Sequence, residues 1–490
     1  MVGVGRTEPP AMRVHSRAAI VDTPYHVTRS AFHSSRVAVY GAVLIARFAH
    51  LLPLVALGLA CGPAAPAKPE GKVIAPAKPA PVVTPASDTS KPASEPARAT
   101  PAREVKPLDA ETGARVAESI NAFAVDLHHA LADQPGNLFV SPASIAVAFA
   151  MTHAGARGET EQQIARVFHF GDDAAKTREG FAAALAGWAV PQENLELTVA
   201  NRLFGEKTAT FEPAFIDLTR TVFGAPLELT DFKGAPDPAR DHINSWVAAH
   251  THDRITNLVP VGGINATTRL VLVNAVYFKA GWREPFSEAQ TKNGAFHVAS
   301  GKKTVELMTR TDEYPANVVA SAKLKLVELP YQSTFSLVVV LPDAKDGLAA
   351  VEKAMTAEAL RGWISGLRSQ RVAVKLPSFK IEPTEGLRLA GILAGLGMPA
   401  AFDAQAADFT GMAPKSEQIV LSEAVHKAFV AVDEKGTEAA AATAVAARAG
   451  GMPPSGEPLD FTVDHPFLFL IRDTNTGAIL FMGRFTDPQP

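Results

Sequence analysis

The sequence predicts an α+β fold in one large folded body. Helix-spaced apolar residues come first, continuous apolar runs of strand type accumulate toward the C-terminus, and neither a βαβ rhythm nor an internal repeat links them. With 490 residues, 47% of them hydrophobic and 20% charged, the chain can bury a large core. Almost all of its periodic, aromatic-bearing sequence lies after about residue 109, so a single mixed domain is expected over 109–490. A formal net charge of −3, without a basic run interleaved with aromatics, gives nucleic-acid binding no support. The lone cysteine, Cys61, excludes an intrachain disulfide and a cysteine-based zinc cluster.

Residues 1–61 read as an N-terminal extension ending in a signal. The apolar run Phe48 to Ala60 follows Arg47 and closes on Leu57-Gly58-Leu59-Ala60-Cys61, which has the charge, length and small-residue ending of a secretory signal. A membrane span from Val37 to Ala60 would put Arg47 near its middle at a cost of about 2.5–3.5 kcal/mol, which disfavours it. The ending resembles the lipobox of bacterial lipoproteins, with Gly58 where Leu is usual. That resemblance implies a lipidated Cys61, attachment to the cell envelope or outer membrane through a lipid anchor, and otherwise an extracellular protein. Residues 62–108 are Ala/Pro/Lys/Ser/Thr-rich and free of aromatics, the composition of a stiff disordered linker reaching roughly 140 Å when extended.

The folded body opens with Val116, Ile120, Phe123, Leu127 and Leu131 at helical spacing. Asn137 to Ser141 reads as a short buried strand, followed by a helix with Ser141 as its cap and Pro142 in its first turn. Thr160 and Gln163 suggest a capping box for the next helix. Ile243 to Leu258 is read as helical, Leu270 to Phe278 and Phe335 to Leu341 as buried strands. Phe467 to Ile471 and Ala478 to Met482 form a hairpin around Asp473 to Gly477.

The stretch Val432 to Ala447, VDEKGTEAAAATAVAA, admits two readings. Its alanines favour a surface helix opening near Thr437. Read with a period of two, Thr437, Ala439, Ala441, Thr443, Val445 and Ala447 share one small, uncharged face, while Glu438 and Arg448 fall on the opposite, exposed one. A segment of that kind could enter a sheet between existing strands, and Gly436 gives the backbone a place to swing.

From about Ala110 to Pro488 the chain resembles the serpins. The resemblance rests on Asn137-LFVSPASIAVAFAMTHAGARGET, Leu272-VNAVYFKAGWREPF, Leu421-SEAVHKAFVAVDEKGTEAAAA and Phe461-TVDHPFLFLIRDTNTGAILFMGRF, four motifs in family order. It implies three β-sheets, eight or nine helices and an exposed reactive-centre loop, with a hinge over Glu434, Gly436, Thr437, Ala439, Ala440, Ala441 and Ala442. It further implies a monomeric inhibitor of a serine-type, or a cysteine, endopeptidase. The protease cleaves the loop, is held as an acyl-enzyme and is carried off as the loop inserts into the main sheet. Ser141, Ser144, Asn274 and His426 match the family's shutter, the polar cluster where strands part, and Trp282 its breach, where the loop first enters. Counting about seventeen residues from Glu434, as the family does, puts the cleaved bond at Gly450-Gly451, with Arg448, Ala447 and Met452 as alternatives.

A hydrolase is the rival from another class, but the chain has neither Gly-x-Ser-x-Gly nor a Walker loop, and Asp464-His465 belongs to a strand motif. His250 and His252 lack a third ligand at suitable spacing, so no metal and no cofactor is expected. A non-inhibitory serpin, acting as a chaperone or binding module, is the remaining alternative. Such members tend to carry bulky, charged or proline residues in the hinge, and Glu434 to Thr443 carries none at the inserting positions.

Overall fold

A computed structural model describes residues 108–438 and 456–488. Cys61 and the signal-like run, the linker 62–107, the hinge residues Ala439, Ala440, Ala441 and Ala442, and the candidate cleavage residues Ala447, Arg448, Gly450, Gly451 and Met452 lie outside the described residues. Among the described residues there are nine α-helices, and the fold is α+β.

Helix α1 (Ala110–Ala130) starts where the Asp109 carboxylate accepts the Thr112 N–H, and it buries Val116, Ile120, Phe123 and Leu127. Helix α2 (Pro142–Gly155) is capped by Ser141, whose hydroxyl accepts the Ser144 N–H, and carries Pro142 in its first turn. It is buried around almost its whole circumference, as its Ala/Val/Phe/Met composition requires, and forms the centre of the core.

The main sheet is built on two long neighbours, β1 (Leu195–Glu206) and β2 (Leu270–Gly281), which pair antiparallel from Leu195↔Ala280 to Gly205↔Leu270. On the other side of β2 lies β3 (Leu421–Ala428), parallel to it, and β4 (Val430–Val432) continues β3 past Phe429. The two-residue strand β5 (Gly436–Thr437) lies between β2 and β4.

Glu228–Thr230, Phe379–Ile381 and Leu387–Arg388 complete this sheet, and the other nine strands make one continuous hydrogen-bonded network in place of two of the three expected sheets. The 19-residue strand Gly301–Val319 is the reason. It pairs with Lys292–Val298 and Arg368–Pro377 over most of its length and with Leu324–Pro330 at its end, so the two ladders share it.

Two helices differ from the sequence reading. The helix expected over 243–258 runs instead from Pro236 to His250, and stops there because His252 and Asp253 take left-handed φ of 50° and 58°. The helix assigned to a Thr160 cap begins at Gly158, with Arg157 in the cap position and no side-chain cap. The Thr160 hydroxyl is used elsewhere, accepting the Asp408 N–H at 2.9 Å.

Candidate functional site

The register of the main sheet brings the polar residues together. Asn201 pairs with Asn274 across β1 and β2, and Asn274 pairs with His426 across β2 and β3, so three polar side chains stand in one row of an otherwise apolar sheet. Ser141 and Ser144, at the start of α2, meet this row. The Ser141 N–H donates to His426 Nε2 at 3.0 Å, which leaves Nδ1–H to donate to Asn274 Oδ1. Asn274 Nδ2 donates to both Ser144 Oγ and Asn201 Oδ1, and Ser141 Oγ donates to the Leu480 carbonyl at 2.7 Å. Complete burial drives the His426 pKa down to about 3, against the opposing pull of Asn274, so the imidazole is neutral and is fixed in the Nδ1–H tautomer.

Further along the same seam the sheet is parted. β2 and β3 bond directly at Val276↔Ala428. At Ala280 and Val432 a third strand lies between them, with Thr437 paired to both. Inserting one strand opens the seam by one further interstrand spacing, roughly 5 Å. Gly436 permits this close approach, since a Cβ there would lie 2.1 Å from the Ala280 carbonyl oxygen.

Trp282 and Tyr331 form the roof of the parting. Their rings stack at 4.5 Å and 5°, and each residue is 1% exposed. Trp282 donates its backbone N–H to the Lys435 carbonyl at 2.9 Å and its indole N–H to the Asp433 carbonyl at 2.8 Å. The Tyr331 hydroxyl meets Thr437 Oγ1 at 2.6 Å, and burial pushes the phenol pKa well up, so it stays protonated. Glu434 accepts the Thr291 hydroxyl at 2.6 Å, and its carbonyl accepts the Phe286 N–H at 2.9 Å. The segment from Asp433 to Thr437, in which the resemblance places the start of the hinge, is thus held on both sides.

One expectation is overturned here. The sequence pattern puts Glu438 on an exposed face, yet its side chain is only 11% exposed and forms a close ion pair with Arg254 Nε. What covers that side is the turn after helix Pro236–His250, which sequence spacing cannot reveal. Asn201, Tyr331 and Arg254 were not singled out from the sequence. Asn201 offered one signal, an amide in a strand-like run between Ala200 and Leu203. His250 and His252 are exposed, and the described residues hold no group of three or more metal-ligating side chains.

The described residues thus form a sheet that is closed at Val276↔Ala428 and parted at Ala280 and Val432, with the short strand Gly436–Thr437 seated in the parting. Residues 118–488 match the family model described as Serpin (serine protease inhibitor), and the chain belongs to that family. The human leukocyte elastase inhibitor is 40% identical over 376 residues, covering 75% of this chain and 97% of that protein. Serpin48, described as a highly specific serpin of the insect Tenebrio molitor, superposes with a TM-score of 0.69 at 32% identity over 76% of this chain and 98% of its own. Human thyroxine-binding globulin in complex with its hormone superposes at 0.70 and 28% identity, over 77% of this chain and 100% of its own.

Proposed function

We propose that this chain is a suicide-substrate inhibitor of a serine-type endopeptidase, with a cysteine enzyme as the other admissible target. Serpin loop insertion is itself the standard instance of a strand added to a sheet, and the mechanism is taken over from the family. The observation that supports it in this chain is Thr437, fully buried between Ala280 and Val432 as the first side chain of the loop to enter the sheet. In this reading Asn201, Asn274, His426, Ser141 and Ser144 form the shutter, hydrogen-bonded across the strands that must part. Trp282 and Tyr331 form the breach above them. Leukocyte elastase inhibitor is named for its target, and an elastase-like enzyme would suit cleavage after Ala447 or Met452, as a trypsin-like one would suit Arg448.

Insertion must draw its driving force from side-chain burial and relief of the parted sheet. About a dozen new backbone hydrogen bonds at ~1 kcal/mol each would be largely offset by ordering the loop at ~1–2 kcal/mol per residue. The uncleaved state is therefore kinetically held. Cys61, lipidated, would tether the monomeric domain by its Pro-rich linker to the bacterial envelope, within reach of external proteases.

Incubating the purified protein with trypsin-, elastase- and subtilisin-like enzymes should give a complex that survives SDS. Intact-mass analysis of the released C-terminal peptide should place the cut between Ala447 and Met452, at Gly450-Gly451 in the family register. Turnover of every enzyme without complex would rule the reading out. The second reading, a non-inhibitory carrier, is favoured by a cavity of about 540 Å³ between α1 and helix Ala357–Ser365. Leu360, Ile364 and Ile479 supply an apolar lining, with Arg361 and Glu118 beside them, which suits a small amphipathic molecule.

A further inference from the structure

The turn that ends helix Pro236–His250 crosses the parted end of the main sheet. His252 Nε2 lies close against the Glu196 carboxylate on β1, and its ring sits against Tyr277 of β2 at 5.4 Å. Arg254, two residues on, lies over the Phe429 ring at 5.7 Å and pairs with Glu438. The turn therefore reaches from β1 across β2 to Phe429 at the β3–β4 junction, and so crosses the seam into which the loop would pass. Asp253 anchors it, donating its N–H to the Ala248 carbonyl at 2.9 Å, as does Thr251, whose hydroxyl accepts the Ile255 N–H at 3.2 Å.

Glu438 is the first residue beyond the paired hinge, and its backbone departs from the strand with φ at 48°, the left-handed region that a glutamate adopts only at a cost. Its N–H still donates to the Ala431 carbonyl at 2.8 Å, and among the described residues Arg254 is the donor that pairs with the carboxylate. For Ala439 to follow Thr437 into the seam, Glu438 must become extended, and its side chain must shift beneath the turn.

We propose that Arg254 is a positioning residue that arrests the loop at Thr437. Its ion pair holds Glu438 in the strand-ending conformation and keeps the uncleaved loop from entering further. This role rests on the insertion reading above and adds to it a named stop. The partner it acts on is the chain's own hinge, and the quantity it controls is the rate at which the intact inhibitor converts to an inserted, inactive form.

The test is incubation of the intact, uncleaved protein, with the fraction that becomes heat-resistant and non-inhibitory followed in time. Arg254→Ala and Glu438→Gln should each speed this conversion roughly five- to tenfold, the effect of losing one partly exposed ion pair that stabilises the starting state and is broken before the barrier is crossed. The double variant should convert no faster than the quicker single one, and Arg254→Lys should restore most of the delay. Glu438→Gln leaves the turn and its packing unaltered, so it decides the matter if Arg254→Ala folds poorly. Conversion of Glu438→Gln at the wild-type rate, or additive effects in the double variant, would overturn the arrest. Cleaving the wild-type loop separates the two readings. A gain in heat resistance on cleavage, together with unchanged variants, rejects Arg254 alone; no gain on cleavage rejects insertion and the arrest together.

Discussion

The hydroxyls of Thr437 and Tyr331 lie 2.6 Å apart, sealed beneath the Trp282 ring, although the two residues are separated by 106 positions in the chain. This contact ties the loop to the roof of the parted sheet, so Thr437 is the position at which insertion can be tested most directly.

Thr437→Arg should convert the inhibitor into a substrate. An arginine there would be an unpaired charge in a strand interface, several kcal/mol uphill, at the step where insertion competes with deacylation. The loop remains open to cleavage, so cutting continues and the protease is released active. The measurement is moles of inhibitor consumed per mole of protease inactivated, which should rise at least several-fold; equal values for variant and wild type would refute insertion.

Gly436→Ala should withdraw the hinge from the sheet without unfolding the domain. The added methyl has no room against the Ala280 carbonyl, and the neighbouring contact is backbone that cannot rotate away. Hydrogen exchange should show faster exchange of the Trp282 amide, which donates to the Lys435 carbonyl, with the amide of Ala275 unaffected. Retained protection at Trp282 would mean that β2 yields instead.

Acid should loosen the shutter row through His426. Its pKa in the folded chain, about 3, lies below the ordinary 6.5, so the unfolded chain binds the extra proton between those limits. The stabilisation is complete above pH 6.5 and is lost progressively as pH falls toward 3, by roughly a few kcal/mol in total. His426→Gln cannot take up this proton, so its melting temperature should fall less steeply than that of wild type between pH 6.5 and 4. Parallel curves would remove His426 from the acid response.

Cys61→Ala should move the protein from the membrane fraction to the soluble one. Retention of the variant in the membrane, or a mature N-terminus elsewhere, would show that the lipobox-like ending is not used.

The helix cap at Ser141 and Pro142 was legible because capping is local, fixed by which donors the first turn leaves open. Asn201 was not, because its alignment with Asn274 and His426 is a matter of register among strands far apart in sequence. Thr160 misled because a side chain that could cap a helix can equally serve the Asp408 backbone, and only tertiary packing decides. Glu438 shows the limit most clearly: alternation assigns a side, while the neighbour on that side comes from a turn some 180 residues earlier, at Arg254.

The direct Val276↔Ala428 pairing, below a row where Thr437 already separates the same two strands, has a consequence for how such a molecule is supplied. On the insertion mechanism the seam opens like a zip, each residue exchanging one broken ladder contact for two new ones, and nothing in the sheet drives it back. Each copy therefore acts once. Inhibitory capacity is then measured by the number of molecules present rather than by turnover, and a titration against protease should break sharply at an end point instead of curving toward saturation.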